Sequence, residues 1–430
     1  MKHKIGDQID ILTKSGGKHI GLFIPSHNKN IISIKLDSGY NIGINKTKIK
    51  KIKLLKKSKQ VKLKTKKITK NQQLKNITIL HTGGTIASQV DYNTGGVISK
   101  FTPEEIVAMF PELEQIVNID SKLIAEMWSD DARFYHYNKL AKEIQKQIKK
   151  GIDGIIITSG TDTLHYTSAA LTFILENINI PVLIVGAQRS SDRGSSDAGM
   201  NLICAAQFIS KTNFVGIASC LHSTSSDNSC DIIHGCKVRK MHTSRRDAFK
   251  SINTEPVAIV NNKGQINYLS NYTKKHNQEL KLRLFKENLK VGLLKIHTNM
   301  YPEQFSVYKN FKGLVIEGTG LGHTPGDVID DSTRIHKNII NEIKKLLKST
   351  TIAMASQCIY GRINMNVYSK GRILKELGII GDQLDMTPET SFIKLAWLLS
   401  NYKKQEVKIL FHENLRGELT KRILYKEDFQ

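Results

Sequence analysis

Short apolar stretches separated by turn residues fill the first 45 residues, and this pattern predicts a small all-β unit. Four strands are expected, at 7–12, 19–24, 31–36 and 40–44. The sequence Asp37-Ser38-Gly39 predicts a tight turn between the last two, because Gly39 can adopt a positive φ. Closing so small a sheet removes its unpaired edges, so we expect a closed or nearly closed β-barrel.

After residue 76 the pattern changes to strand-length apolar segments that alternate with longer amphipathic segments. Such alternation is typical of a parallel sheet covered by helices. Strands are expected at 77–81, 154–158, 182–186, 214–219, 257–260, 291–296, 313–317 and 351–356. Thr102 and Glu105 flank a proline and predict a capped helix start, and Thr387-Pro388 predicts another.

The apolar signal thins between residues 261 and 288, and a new strand is expected just after this stretch. We therefore expect a large α/β domain at 76–288 and a smaller C-terminal α/β domain at 289–430. Together with a β-barrel at 1–45, the predicted fold class is α/β with a small N-terminal barrel and two open parallel-sheet domains. A chain of 430 residues is long enough for these units.

Positive charge is concentrated between the predicted barrel and the large domain. The chain has 64 Lys plus Arg against 39 Asp plus Glu, a net charge of +25, and 14 lysines without an acidic residue lie between 46 and 75. We expect 46–75 to be a linker. It is either a solvated tether or an electrostatic contact with RNA phosphates, and the second option allows a non-enzymatic RNA-binding scaffold.

Apolar runs such as 154–157 and 181–186 are far shorter than the ~20 residues of a membrane-spanning helix. The N-terminus has charges but no apolar stretch typical of a secretory signal. We therefore expect a cytoplasmic protein without a membrane segment.

Five cysteines without a C-x-x-C pair do not predict a disulfide framework. A metal cluster would have to combine cysteines with nearby histidines, and the spacing of these residues matches no zinc pattern. We expect no metal site. The residues in question are Cys220, His222, Cys230, His234 and Cys236.

Two similar loops follow the strands expected at 77–81 and 154–158. The first continues through Gly83-Gly84-Thr85, and the second through Gly160-Thr161-Asp162. Ligands of open α/β sheets bind at the carboxyl ends of the strands, where a threonine hydroxyl can act as a nucleophile and backbone amides can stabilise an oxyanion. Taken singly, each loop is more typical of a turn or a helix cap than of a functional site.

A third strand-like segment, 123–127, leads into Ser129-Asp130 and adds polar groups to the same edge. A base is still needed. His81 and His165 flank the glycine loops, but no Ser-His-Asp order or G-x-S-x-G motif is present. A lysine can act as the base where burial and cationic neighbours favour its neutral form, and the basic segment 235–246 offers such neighbours. This segment is equally typical of a basic surface loop.

The stretch Thr82-Gly83-Gly84-Thr85-Ile86-Ala87-Ser88 resembles the first signature of the L-asparaginase family, and 159–163 resembles the second. The resemblance implies that Thr85 is the nucleophile, that Thr161 and Asp162 form the catalytic Thr-Asp pair, and that Lys240 is the base.

The same resemblance places the family's substrate-contacting serine at Ser129, followed by Asp130. It places a flap tyrosine at Tyr92. Gly318-x-Gly320-x-Gly322 lacks the lysine of a P-loop, so no phosphate site is expected there.

One branch of that family, the archaeal glutamyl-tRNA(Gln) amidotransferases, is similar over nearly the whole chain, including the barrel and the segments 34–44, 188–193, 317–323 and 356–362. The resemblance implies a glutaminase that supplies ammonia to a partner, the E subunit of the amidotransferase, which amidates Glu-tRNA(Gln). Glutamine is then the amide donor. No cofactor is expected in this chain, because the partner uses ATP and Mg²⁺.

A homodimer within a heterotetramer is the oligomer that the resemblance implies. The alternative with the same chemistry is a free cytoplasmic L-asparaginase, which the N-terminal barrel disfavours.

Overall fold

The computed structural model describes residues 3–4, 6–24, 26, 28–36, 41–57, 70–84, 89–90, 97–98, 102–189 and 196–425. Its strands, in chain order, are β1 (Gln8–Thr13), β2 (Lys18–Ile24), β3 (Ile31–Lys35), β4 (Asn41–Asn45), β5 (Ile49–Lys56), β6 (Asn76–His81), β7 (Gln89–Val90), β8 (Val97–Ile98), β9 (Asn118–Leu123), β10 (Gly154–Thr158), β11 (Leu175–Glu176), β12 (Pro181–Val185), β13 (Gly216–His222), β14 (Ser229–His234), β15 (Val238–Lys240), β16 (Phe249–Ser251), β17 (Ala258–Asn261), β18 (Ile266–Tyr268), β19 (Lys281–Leu282), β20 (Val291–Lys295), β21 (Gly313–Gly318) and β22 (Thr351–Ser356). The helices are α1 (Pro103–Met109), α2 (Phe134–Ile148), α3 (Leu164–Ile174), α4 (Ala198–Lys211), α5 (Glu303–Ser306), α6 (His336–Leu347), α7 (Ser369–Glu376), α8 (Pro388–Asn401) and α9 (Lys404–Leu410).

The N-terminal unit is an antiparallel sheet of five strands in the order β4-β3-β2-β1-β5. Alternate residues along β1 and β3 point to one face, where five isoleucines form a small core. No ladder joins β4 to β5 within the described ranges, so the barrel is open along that seam. The isoleucines are Ile9, Ile11, Ile32, Ile34 and Ile44.

The N-terminal unit extends beyond the boundary predicted at residue 45. The strand β5 (Ile49–Lys56) pairs with β1 along its length and belongs to this sheet rather than to a linker. Its apolar residues Ile49, Ile52 and Leu54 pack against the isoleucine core, and the lysines between them hid this strand pattern in the sequence. The predicted turn at 37–39 and the stretch 58–69 lie outside the described residues.

The large domain is built on an eight-stranded sheet in the order β18-β17-β14-β13-β12-β10-β6-β9. The strands from β13 to β9 are parallel, as predicted, whereas β14, β17 and β18 are antiparallel additions. The short connection from β13 to β14 permits only an antiparallel neighbour, because a parallel one needs a long crossover.

The strand-like segment predicted at 123–127 is shifted. The observed strand is β9 (Asn118–Leu123), and it joins the sheet through the pairing of Ile77 with Ile119. Residues after Leu123 leave the ladder and form the irregular segment that reaches Ser129.

The small domain holds the parallel sheet β20-β21-β22, and its core is continuous with that of the large domain. Helix α8, which begins after the predicted cap Thr387, packs on α3, and the rings of Phe173 and Trp397 lie 5.4 Å apart between centroids. The predicted capping box of Thr102 and Glu105 is also present. In the described part of the chain, every helix is too short or too polar to cross a bilayer.

Candidate active site

The two glycine loops lie side by side at the carboxyl ends of the adjacent parallel strands β6 and β10. The backbone N–H and the hydroxyl of Thr82 both donate to the carbonyl of Thr158, each over 3.0 Å. Gly84 has φ +83°, and a Cβ atom there would lie 2.5 Å from the backbone nitrogen of Gly160. Only glycine permits so close an approach of the two backbones.

Lys240 reaches this edge from the last residue of β15, which forms a two-stranded hairpin with β16. Its Nζ donates to Thr161 Oγ1 over 2.9 Å and to Asp162 Oδ1 over 2.8 Å. The Lys240 side chain is only 10% exposed, whereas that of Asp162 is 73% exposed. Three predicted site residues therefore meet in one cluster, although Lys240 lies 79 positions after Thr161 in the sequence.

This cluster can move a proton. The hydroxyl of Thr161 accepts from Lys240 Nζ and keeps a proton of its own to donate, so it can connect the lysine to a group on its other side. Asp162 lies just before α3 (Leu164–Ile174), where the positive end of the helix dipole favours its negative charge.

Ser129 lies beside the second glycine loop, and its exposed neighbour is Asp130. Ser129 Oγ accepts from the backbone N–H of Thr163 over 3.3 Å, and the Ser129 carbonyl accepts from the Thr163 hydroxyl. Ser129 and Asp130 border a cavity of about 490 Å³ whose wall also contains Tyr137 and Tyr166. The structure thus brings Ser129 to the site, while Asp130 lies at the rim of this cavity.

Thr85 and Tyr92 lie outside the described residues, so their roles stay predictions. The described part of the first loop ends at Gly84, the residue before Thr85. Gly84 lies against Gly160, the residue before Thr161.

The two flanking histidines are poorly suited to act as the base. Burial lowers the pKa of His81 to about 4, and its Nδ1 is 2.8 Å from Thr158 Oγ1. Burial also lowers the pKa of His165 to about 4. Both rings are therefore neutral at pH 7 and have little affinity for a proton.

The cations of the basic segment 235–246 are paired with carboxylates, which the sequence did not reveal. Arg239 donates from Nε and Nη2 to Glu389 Oε1 over 3.0 and 2.8 Å. Burial opposes ionisation of Glu389, but the hydrogen bonds and charge of Arg239 outweigh it and lower the pKa of this carboxyl. Lys237 Nζ lies 2.9 Å from Asp385 Oδ2.

These ion pairs correct the expectation that free cationic neighbours surround Lys240. Cations that fold into a protein interior need counterions, because an unpaired buried charge is strongly destabilising. Asp385 and Glu389 lie almost 150 residues from their partners, so no local pattern could have predicted them. The start of α8 after Thr387 was the only sequence signal near Glu389.

Among the cysteines and histidines considered as metal ligands, Cys220, His222 and Cys230 gather around Asn201, which forms a hydrogen bond with each of them. Across the described ranges, no group of three or more His, Cys, Asp or Glu side chains could hold a metal ion. Cys220 and Cys230 are buried, and burial raises the pKa of each thiol, which disfavours the thiolate that metals bind.

Three family profiles match the chain. Residues 76–274 match the N-terminal asparaginase domain, residues 290–411 match the glutaminase/asparaginase C-terminal domain, and residues 3–55 match the GatD N-terminal domain. The last match ends at the strand β5 that completes the N-terminal sheet.

Among curated relatives, the D subunit of glutamyl-tRNA(Gln) amidotransferase from Pyrococcus furiosus is 42% identical over 97% of this chain and 95% of its own length. The D subunit from Thermococcus kodakarensis is also 42% identical, over 97% of this chain and 94% of its own. A solved structure, the thermostable L-asparaginase of Thermococcus kodakarensis, is 26% identical with a TM-score of 0.70, and the match covers 81% of this chain and all of that one. The chain belongs to the family of glutamyl-tRNA(Gln) amidotransferase D subunits, whose catalytic body has the asparaginase fold.

Proposed function

We propose that this chain hydrolyses the side-chain amide of glutamine and that the ammonia is used to convert Glu-tRNA(Gln) into Gln-tRNA(Gln). The observation that carries the proposal is the contact of Lys240 Nζ with Thr161 and Asp162, at the edge of the sheet where the two glycine loops meet. It supplies a proton relay at the place where the family resemblance puts the nucleophile.

In this mechanism the Thr85 hydroxyl oxygen attacks the amide carbon of glutamine. Its proton passes to Thr161 as the Thr161 proton passes to Lys240 Nζ, which must be neutral at that moment. The tetrahedral intermediate collapses, the C–N bond breaks, and the leaving nitrogen takes the proton that Lys240 had accepted and departs as ammonia. Water then attacks the acyl-enzyme and gives a proton to the same relay. The relay returns this proton to the Thr85 oxygen as glutamate leaves.

Each tetrahedral step places negative charge on the former carbonyl oxygen. Backbone N–H groups of the glycine-rich loops are the natural donors to this oxygen, and losing one such donor typically costs about 2.7–4 kcal/mol. The close packing of Gly84 on Gly160 holds the loop backbones in fixed relative positions before substrate binds.

The second half of the reaction belongs to a partner. The E subunit of the amidotransferase would activate the glutamyl group on the tRNA with ATP and Mg²⁺, and this chain would need no cofactor of its own. We propose a homodimer of this chain within a heterotetramer that works in the cytoplasm. The names of the relatives support the tRNA-dependent complex.

The second candidate is a free L-asparaginase, because the solved asparaginase of Thermococcus kodakarensis shares the fold of the catalytic body. The N-terminal sheet favours the amidotransferase, since residues 3–55 match a domain characteristic of that branch. The two candidates differ in how they respond to tRNA. Glutamine hydrolysis that rises when Glu-tRNA(Gln), ATP and the E subunit are added supports the amidotransferase, and no rise supports the free amidohydrolase.

The decisive variant is Thr85→Val in the complex with the E subunit. Removing the nucleophile should abolish amidation driven by glutamine but leave amidation driven by ammonium chloride unchanged, because free ammonia bypasses this active site. The measurement is formation of Gln-tRNA(Gln) with each nitrogen source. Equal loss with both sources would refute the assigned role of Thr85.

A matched lysine pair tests the base in the same assay. Lys240→Met should reproduce the selective loss of the glutamine-driven reaction, whereas Lys142→Met, on the exposed face of α2, should leave both reactions unchanged. Glutamine hydrolysis that survives Lys240→Met would exclude the proposed relay.

A further inference from the structure

Lysines dominate the N-terminal unit, and the catalytic mechanism uses none of them. Residues 1–57 contain 13 lysines and three aspartates, without arginine or glutamate. Four exposed lysines lie on the single strand β5 and are called here the β5 lysine strip. They are Lys50, Lys51, Lys53 and Lys56.

The fold explains why Lys51, Lys53 and Lys56 face solvent. Ile52 and Leu54 of β5 point to the isoleucine core, so Lys51 and Lys53 project from the opposite face. A register shift in the ladder places Lys56 opposite Gln8, on that same outer face. The register continues this face across the sheet, since Lys51 lies opposite Leu12, which in turn lies opposite Lys18 on β2.

Few carboxylates compensate this face. Asp10 lies opposite Lys53 in the ladder, but its Oδ2 lies 3.4 Å from Lys18 Nζ. Within the described part of the chain, no ion pair involves a lysine of the β5 lysine strip. This differs from the catalytic body, where Lys237 and Arg239 each face a carboxylate.

The β5 lysine strip is also extended, as a binding site for a linear polyanion would be. Strand β5 is the last strand of its sheet, and none of the described strands pairs with its outer edge. The six residue steps from Lys50 to Lys56 span about 20 Å, at roughly 3.4 Å per residue. A row of cations of this length can follow several consecutive phosphates.

We propose that the β5 lysine strip is a docking surface for the sugar-phosphate backbone of RNA. That this RNA is the tRNA of the amidation reaction rests on the proposed function. Contacts between lysines and phosphates have no sequence preference and weaken as salt rises, because binding releases counterions. The competing explanation is that the lysines only protect an open sheet edge from pairing with other strands.

The test compares two full-length variants with the same loss of charge. In the first, the four lysines of the strip are replaced with glutamine. In the second, four exposed lysines in the second half of α2 and directly after it are replaced with glutamine, namely Lys142, Lys146, Lys149 and Lys150. Affinity for a tRNA(Gln) transcript is measured from 50 to 200 mM salt.

The strip variant should bind the transcript at least tenfold more weakly at 50 mM salt. Its slope of log affinity against log salt should fall by roughly 0.7–0.9 for each phosphate that is no longer neutralised. The α2 variant should retain most of the affinity and most of the salt slope. Equal losses in the two variants, or no loss in the strip variant, would overturn the proposal.

Two further arms separate the alternatives. A Lys→Arg version of the strip should keep RNA binding, because it keeps the charge. A strip variant that aggregates but binds RNA as before would show edge protection alone and overturn the proposal. Loss of binding to phosphatidylserine vesicles without loss of RNA binding would identify a membrane contact and also overturn it.

The binding assay contains no glutamine, ATP or E subunit, so it does not depend on the glutaminase. Glutamine hydrolysis by the strip variant in the absence of tRNA should equal that of the unmodified chain, and this equality also shows that the catalytic body is folded. Unchanged RNA binding would overturn the docking surface and leave the proposed function intact. If glutamine hydrolysis by the unmodified chain does not rise when Glu-tRNA(Gln), ATP and the E subunit are added, the result would count against the proposed function alone.

Discussion

The two sides of the candidate active site are held in place by different forces. On one side, the loops after β6 and β10 are fixed by backbone packing, with Gly84 directly against Gly160. On the other side, Lys240 lies on the small hairpin of β15 and β16, whose neighbouring cations are fixed by carboxylates. The site therefore combines a rigid backbone part with a part that depends on charge.

The charged side also depends on the second domain. Asp385 and Glu389, which bind Lys237 and Arg239, both belong to the C-terminal part of the chain. Asp385 Oδ1 also accepts from the backbone N–H of Thr420 over 3.0 Å, which ties the C-terminal segment to the same network. The placement of the small domain thus bears on the position of Lys240, whereas Thr161 lies in the large domain.

The largest effect is expected from Gly84→Ala, which attacks the backbone side. The added Cβ would lie 2.5 Å from the Gly160 nitrogen and φ is +83°, so the two loops must separate. A displacement of about 1 Å can cost roughly 100-fold in rate. We expect at least this loss in kcat/KM for glutamine.

Gly151→Ala is the matched control for this loss. Gly151 also has a positive φ, +78°, but no atom lies within 4 Å of its added Cβ. Both variants carry the backbone strain, and only Gly84→Ala disturbs the loops. Similar rates for the two variants would show that close packing does not position the site.

A smaller effect is expected from Glu389→Gln, which attacks the charged side. The substitution leaves Arg239 without its counterion next to Lys240, and disturbing a charged hydrogen bond typically costs about 1.5–3 kcal/mol. If half of this appears in the rate, kcat falls by roughly four- to tenfold. KM should change by less than about twofold, because Glu389 serves as a positioning residue.

The conservative variant Glu389→Asp distinguishes positioning from general damage. It keeps a carboxylate for Arg239, so it should recover much of the kcat that Glu389→Gln loses. Asp331→Asn, which removes a surface ion pair with Arg334, is the control and should leave kcat unchanged. A Glu389→Asp variant as slow as Glu389→Gln would contradict the positioning role.

The backbone side could be predicted from the sequence, and the charged side could not. The strands before the glycine loops are mostly apolar runs. Each loop also contains its predicted site residues within one short segment of sequence. Lys240 was found only through family resemblance, because its contact with Thr161 spans 79 residues of sequence. The partners Asp385 and Glu389 were missed for the same reason.

Strand β5 was missed for a different reason. Its apolar residues are separated by lysines, and two bulges in its ladder with β1 break the strict alternation that marks a strand. The charge of the segment favoured a linker until pairing with β1 placed it in the sheet.

The smallest effect is a difference in how the buried histidines and the Arg239–Glu389 ion pair respond to acid. His81 lies beside the first glycine loop, and His165 lies close enough to Glu389 and Arg239 for their charges to act on it. Both histidines have pKa values of about 4 because they are buried. Each histidine binds a proton more readily in the unfolded chain than in the folded one. Its contribution to the free energy of unfolding is therefore complete above pH 6.5 and is lost as the pH falls toward 4. Lowering the pH from 7.5 to 5.5 should cost about 1 kcal/mol of unfolding free energy per histidine.

The charged side should not respond in this range. The pKa of Glu389 is lowered from 4.5, so its contribution is complete above 4.5 and is lost only as pH falls through the lower value of the folded state. Urea unfolding at the two pH values measures the difference. His165→Gln should make the unfolding free energy less dependent on pH by about 1 kcal/mol, and exposed His242→Gln should not. Equal pH dependence in both variants would show that burial of His165 does not keep its ring neutral. The expected difference in acid response between the buried histidines and the ion pair would then be wrong.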